Sequence, residues 1–426
     1  MKRKISLLVV LTFLVSSIFT VHADELNLDA PSYLLMDMKS GRILLEKDSN
    51  QVMYPASVTK MMTAILALEN GKLDQIMTAS LKASNPGNGG ANADIRPDEQ
   101  VTMDDLLHAL LIKSANEAAN VIAENIGGTQ EKFVELMNSK ASELGATQTH
   151  FVTVSGMHDD NHYSTVADMA KIAFYAMKKP EFRNIVHKSK YDMLPTNKHS
   201  TSRTIYSTNR LFGYKSDYYT EVTGIKTGYT SQAGNNLVAS AVNESGMELC
   251  TVMFGVRNTG TSNKVYTLSK ELLEYGFKNF SIRQLTDKNV VIKSINVENA
   301  KEDDALLNLV TADSLSCVMS NTSNFETKET YFQDSIKAPV KKGTPVGYVE
   351  YKSNGVSLGK VDIIASKDVE MSMKAKSIDR LKRAFKGSFI KKLFVAFLFT
   401  ILGFLLLRIT LRKISRSLKQ KKMDNP

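Results

Sequence analysis

The sequence predicts an α/β body of the α+β kind, one antiparallel sheet flanked by helices, then a small all-β domain and a C-terminal membrane anchor helix. Three observations predict it. Strand-like segments stand at both ends of the stretch from Ser32 to Val256 with helical periodicity gathered between them, which suits one sheet carrying helices. From Phe280 to about Val369 the text changes to short strands and turns. The apolar run from Leu393 to Leu407 is bracketed closely by basic clusters.

Lys2-Arg3-Lys4, an apolar stretch from Ile5 to Val15 and the small-residue pattern Val21-His22-Ala23 predict a secretory signal peptide, residues 1–23. Ser32–Asp37 and Gly41–Glu46 then read as two strands, joined at Met38 to Gly41. They lead into Met61-Met62-Thr63-Ala64-Ile65-Leu66-Ala67-Leu68, a buried helix opening at Ser57 after the breaker Pro55. Ser84 to Ala93 is rich in Gly and Asn and reads as a loop; no strand or Lys-Ser/Thr pair frames it as a phosphate cradle.

Leu106, Leu107, Leu110 and Leu111, then Ala118, Val121 and Ile122, have helical spacing that breaks around Ser114-Ala115-Asn116, which places that tripeptide on a turn. Gln130–Leu144 and Thr165–Met177 follow as helices, the second opening on a capping box, Thr165 to Asp168. Strands return at Gly224–Thr230, Asn235–Val242 and Met247–Val256, and Ser262–Tyr275 closes the body as a helix. In the later β region Lys352-Ser353-Asn354-Gly355 signals a hairpin.

At ~1.5 Å per residue the apolar run of the tail falls short of a ~30 Å hydrocarbon core. Arg408 can snorkel, and Ile409 and Leu411 extend the span to residues 393–411. An amphipathic helix lying in the membrane plane is the alternative. Eight basic residues from Lys374 to Lys392 nearly balance seven from Arg408 to Lys422, so basic-residue bias does not orient the span. Export decides it: residues 374–392 form a juxtamembrane segment outside, and 412–426 a cytoplasmic tail.

The net charge of +10 belongs to the ends. The signal segment carries +3 and the tail from Lys374 carries +13, which leaves the body at −6. Nothing in that balance points to nucleic acid; the basic tail suits anionic lipid. Cys250 and Cys317 fall in different predicted domains and read as small core residues rather than a disulfide.

Three motifs carry chemistry: Ser57-Val58-Thr59-Lys60, Ser114-Ala115-Asn116 and Lys226-Thr227-Gly228. A Ser-x-x-Lys spacing is weak alone, and Ser388-Phe389-Ile390-Lys391 repeats it in the tail. The first one stands out because it opens a buried helix, where residues three apart share a face. Lys60 would then sit beside the Ser57 hydroxyl, and a desolvated lysine near a second cation, Lys226, has the lowered pKa of a general base.

The three motifs in this order resemble the active-site set of penicillin-binding proteins and serine β-lactamases. The flanks Tyr54-Pro55-Ala56, Gly224-Ile225, Tyr229-Thr230 and Ala233-Gly234-Asn235-Asn236 are similar to those of low-molecular-mass penicillin-binding proteins, serine-type D-alanyl-D-alanine carboxypeptidases. His162-Tyr163-Ser164-Thr165 and Ala338 to Ala365 extend the likeness over nearly all of the exported chain. It implies the penicillin-binding protein and serine β-lactamase-like transpeptidase fold, with residues 24–279 as the catalytic domain and 280–373 as a small β-rich domain.

The resemblance also implies roles. Ser57 attacks the carbonyl of the penultimate D-alanine of a peptidoglycan pentapeptide, Lys60 takes its proton, and Ser114 relays a proton to the leaving amine. Asn116 bonds the acyl-side amide or steadies Lys60. Lys226 supplies positive charge on an edge strand, and Gly228 lets substrate backbone lie against that edge. The oxyanion hole falls to the backbone N–H groups of Ser57 and Tyr229, and Thr227 with Arg257 is expected to bind the terminal carboxylate. No cofactor or metal is implied, and His158-Asp159-Asp160-Asn161-His162 reads as a turn.

No Glu-x-x-Leu-Asn segment of class A β-lactamases is found, so a β-lactam adduct on Ser57 is expected to persist. Nor is there the long N-terminal extension of the synthetic enzymes. Two alternatives stand beside the carboxypeptidase: a β-lactamase or esterase on the same site, and a catalytically idle wall-binding module.

Overall fold

Successive strand residues face opposite sides of a sheet, and the first strand buries both sides. In β1 (Ser32–Asp37) Leu34 and Met36 enter one core while Tyr33 and Leu35 enter another. The computed structural model describes residues 26–213, 218–258, 264–323, 327–332, 335–353, 355–386 and 388–421; the predicted signal peptide lies outside them. The chain divides into two compact units. One runs to Ser281 and takes in Val318–Asn321; the other takes Ile282–Cys317 and the chain from Thr322 on.

In the first unit β2 (Ile43–Lys47) pairs with β1. There follow α1 (Lys60–Asn70), α2 (Met103–His108), α3 (Asn116–Gly127), α4 (Gln130–Glu143), α5 (Val166–Met177) and α6 (Pro180–Val186). Two small ladders intervene, β3 (Ile76–Thr78) with β4 (Gln100–Thr102), and β5 (Lys190–Met193) with β6 (Arg203–Tyr206). Then β7 (Val222–Thr230), β8 (Gly234–Val242) and β9 (Glu248–Val256) complete a five-stranded antiparallel sheet in the order β2-β1-β9-β8-β7. The closing helix is α7 (Lys264–Asn279), described from Lys264 although the sequence predicts a start at Ser262.

The helices α1 to α6 pack with Val238, Val252 and Phe254 on one face; α7 packs with Leu237, Ala239 and Met253 on the other. Because both faces are covered, the central strands read as near-continuous apolar runs. Two corrections concern helix starts. The helix expected to open at Ser57 begins instead with a 3-10 turn, Ala56–Thr59, and α1 starts at Lys60. The positive φ of Ala56, 49°, breaks the α-helical start, yet residues three apart also align on a 3-10 turn. At α5 Thr165 Oγ1 accepts the Asp168 N–H, but the Asp168 carboxylate accepts from Gln148 N and Thr149 Oγ1, so the capping is one-sided.

The two small ladders escape sequence reading because their strands have only three or four residues and alternate exposed with buried positions too briefly to show a period. In the later chain β10 (Phe280–Thr286) pairs with β13 (Leu315–Ser320). The second unit contains a five-stranded sheet ordered β11-β12-β16-β15-β14: β11 (Val291–Asn296), β12 (Leu306–Thr311), β14 (Thr327–Phe332), β15 (Pro345–Ser353) and β16 (Val356–Ala365). The β15–β16 hairpin turns where Lys352 to Gly355 predicts it, with Asn354 itself outside the described residues. Cys250 and Cys317 are both buried and neither is in a disulfide.

The tail forms α8 (Met373–Lys386) and α9 (Ser388–Lys421). Among the described residues α9 contains one span long and apolar enough to cross a membrane, Lys391–Leu418, whose most apolar 18 residues have a mean hydropathy of 2.4 and are not buried. It outruns residues 393–411 because the flanking lysines and arginines are themselves good helix formers.

Candidate active site

The local folds that carry the three motifs converge at one end of the sheet. Ser57 lies on the 3-10 turn, and Lys60 begins the buried helix α1. Ser114 has a left-handed backbone, φ 65°, between a single π turn (Ala109–Lys113) and α3, which turns its side chain away from the helix path. Lys226, Thr227 and Gly228 lie on β7, the edge strand. A Cβ on Gly228 would stand 2.9 Å from Pro55 O and 3.2 Å from Ser57 N, so only glycine lets this edge approach the Ser57 turn so closely.

A cleft of about 670 Å³ opens there, and its lining includes Ser57, Ser114, Asn116, Thr227, Gly228 and Tyr229. Both motif lysines lie beneath it, Lys60 fully buried and Lys226 1% exposed. The Lys60 amine has three partners: Ser57 Oγ at 2.8 Å, Asn116 Oδ1 at 2.7 Å and the Ser155 carbonyl at 2.7 Å. The Asn116 amide is fixed, since its Nδ2 donates to Pro86 O at 2.9 Å. Two of the three partners therefore only accept. A neutral amine with two N–H groups and one lone pair fills those two and turns its lone pair to the Ser57 hydroxyl.

Electrostatics favour that neutral form. Burial, then the field of the Lys226 ammonium, holds Lys60 well below the usual amine range against the opposing pull of Glu117. Burial alone brings Lys226 down to about 7. Its Nζ donates to Ser114 Oγ at 2.9 Å and to its neighbour's carbonyl, Thr227 O, at 2.9 Å. Ser114 thus connects to the second lysine, which sequence spacing does not reveal.

Other contributors come from distant chain segments. His162 is buried, which pushes its imidazole down to about 4. Its Nδ1 accepts the Val152 N–H at 3.0 Å, so the neutral ring donates from Nε2 to Thr59 Oγ1 at 2.8 Å and ties the Ser57 turn to the loop leading to Ser155. Among the described residues no His/Cys/Asp/Glu group could hold a metal, and His158 to His162 forms a turn. Thr227 Oγ1 lies 2.6 Å from Thr208 Oγ1, also on the cleft. Arg257 is differently placed: it donates to the Ser231 carbonyl at 2.5 Å and the Gln232 carbonyl at 2.7 Å, holding the β7–β8 turn.

Ser155, Glu117 and Thr208 escape sequence reading because Ser155 contributes a carbonyl and Thr208 acts through a loop 19 residues from Thr227. Glu117, next to Asn116, could have been singled out as a charged residue on the apolar face of a helix.

Fold and site together define a serine hydrolase in which a buried lysine amine lies against a serine hydroxyl. Residues 18–258 match the family model described as D-alanyl-D-alanine carboxypeptidase, peptidase S11, and residues 280–371 match that of the penicillin-binding protein 5 C-terminal domain. The D-alanyl-D-alanine carboxypeptidase DacF of Bacillus subtilis is 31% identical over 84% of this chain and 90% of the relative. DacA of Haemophilus influenzae is 30% identical over 91% of this chain and all of the relative. In solved structures, penicillin binding protein 5 from Haemophilus influenzae superposes with a TM-score of 0.66 at 28% identity, covering 81% of this chain and 98% of that one. A peptidoglycan synthesis regulatory factor (PBP3) from Streptococcus pneumoniae gives 0.69 at 25%, covering 81% and 100%. The chain belongs to the S11 D-alanyl-D-alanine carboxypeptidase family of low-molecular-mass penicillin-binding proteins.

Proposed function

We infer that this serine-type D-alanyl-D-alanine carboxypeptidase works through an acyl-enzyme on Ser57. The observation that carries the reading is the Lys60 amine, 2.8 Å from Ser57 Oγ with its other two partners both carbonyl oxygens. Ser57 Oγ bonds to the penultimate D-alanine carbonyl as its proton passes to Lys60. The C–N bond breaks, the terminal D-alanine leaves with a proton relayed by Ser114, and water then hydrolyses the ester. Ser57 N–H and Tyr229 N–H serve the oxyanion; losing one such donor typically costs ~10²-fold or more.

The test is D-alanine release from an acyl-Lys-D-Ala-D-Ala peptide by the detergent-solubilised chain without added metal. Release by wild type and none by Ser57→Ala is expected. A folded wild type that releases no D-alanine would leave the idle wall-binding module. Penicillin is expected to remain on Ser57; rapid turnover would instead indicate the β-lactamase reading.

The two lysines set the pH dependence. Lys60 must be neutral to accept a proton, so falling pH removes activity through its ammonium form. Lys226 must be charged to attract a carboxylate, so rising pH removes substrate binding. The basic limb of kcat/KM is expected at about 7, the value of the free Lys226. A bound carboxylate favours the ammonium, so the corresponding limb of kcat should lie higher; coincident limbs would argue against this role.

Thr227, on the cleft, is the proposed carboxylate ligand. Arg257 would have to leave Ser231 and Gln232 to join it, or else act through the turn it holds. Arg257→Ala is expected to raise KM for peptides with a free C-terminus, and an unchanged KM would remove it from the site.

The proposed organisation retains a catalytic domain at 24–279, a β domain at 280–373, a juxtamembrane segment at 374–392, an anchor at 393–411 and a cytoplasmic tail at 412–426. The apolar span of α9 supports membrane attachment, and export by the predicted signal peptide would put the catalytic domain outside. External protease that cleaves after Lys413 in intact cells would indicate a helix lying flat instead.

A further inference from the structure

Glu117 follows Asn116 on α3 and is 1% exposed. Its Oε1 accepts the Ala93 N–H at 2.5 Å, while Oε2 is buried without a hydrogen-bond partner. Burying a carboxylate with one oxygen unpaired is costly, which asks what the residue does there. Ala93 ends the Gly- and Asn-rich loop whose residues Asn88 to Ala91 line the cleft. That loop grips Asn116 twice: Ala91 O accepts the Asn116 N–H at 2.8 Å, and Pro86 O accepts its Nδ2 at 2.9 Å.

The loop also fits too closely to shift freely. A Cβ on Gly90 would lie 2.3 Å from Pro86 O and 2.5 Å from Asn116 Nδ2. Arg203 Nη1 donates to the Ala93 carbonyl at 3.1 Å, so the loop end is held at both the N–H and the C=O of one residue. Asn116 in turn presents Oδ1 to the Lys60 amine at 2.7 Å.

We propose that Glu117 is a positioning residue for the Lys60 base: by holding Ala93 it keeps the loop on Asn116, and Asn116 aims the Lys60 amine at Ser57. The proposal rests on Lys60 being the base. Glu117 itself touches neither substrate nor the reacting atoms. Its removal should therefore slow acylation while leaving substrate binding little changed.

Glu117→Gln keeps an oxygen within reach of Ala93 N, whereas Glu117→Asp falls one methylene short. With the full chain in detergent, kcat for D-alanine release and the rate of acylation by a fluorescent penicillin are expected to fall at least about tenfold in Glu117→Asp. In Glu117→Gln they should fall less than about threefold, with KM within about threefold in both. Gly90→Ala, which disturbs the loop from the Asn116 side, should show the same kcat loss and carries the test if Glu117→Asp does not fold. An aspartate variant as fast as the glutamine variant, a loss confined to KM, or wild-type kcat in Gly90→Ala would overturn the proposal. If Lys60→Met retains activity, the reading of the base fails instead.

Discussion

Lys60→Met is expected to lower D-alanine release and penicillin acylation by at least about 10³-fold while the protein stays folded. Methionine fills a similar volume among buried neighbours and removes the cost of burying an amine. It leaves Asn116 Oδ1 and Ser155 O without a donor, a loss of about 1–3 kcal/mol for each, partly offset by that gain. Lys60→Arg supplies the contrast, since a guanidinium keeps the charge and the donors but cannot accept a proton. Both variants should be inactive. Acylation of either within tenfold of wild type would mean that another group deprotonates Ser57.

Gly156→Ala should produce the largest loss of stability. Gly156 has φ +82°, and a Cβ there would lie 1.9 Å from Ala56 O and 2.4 Å from Ala56 C. Both contacts are backbone, so no side-chain rotation relieves them. The left-handed conformation contributes ~1–2 kcal/mol and the overpacking ~1–3 kcal/mol or more. Denaturant midpoints check the sum, and Gly89→Ala is the control: φ is +69° there but nothing lies within 4 Å of the new atom. Remaining folded Gly156→Ala should also acylate slowly, because Ala56 precedes Ser57 and Ser155 supplies a carbonyl to Lys60.

Much of this was legible in the chain. The α1 run is apolar on every side because its residues from Met61 to Ala67 are all buried, and the double-sided burial of β1 gives Tyr33-Leu34-Leu35-Met36 its unbroken apolarity. Thr165 marks the start of α5 because its hydroxyl accepts an otherwise unpaired N–H. By contrast, β3 to β6 are set by pairing partners 22 to 26 and 10 to 16 positions away rather than by their own composition. Arg257 shows what composition leaves open at a site: a guanidinium suits a carboxylate, and only the structure reveals that it also donates to the carbonyls of Ser231 and Gln232.

By itself the sequence determined the groups available for chemistry and their local spacing. Ser57 and Lys60 share a face on either an α or a 3-10 turn, so that pair survived the misplaced helix start. Only the tertiary structure decided how the pair is charged and aimed. The pKa of Lys60 depends on burial beneath the cleft and on Lys226, 166 positions along the chain, and its direction depends on Asn116 and a main-chain carbonyl at Ser155. Burial and backbone acceptors belong to the packed chain, and no residue type announces them.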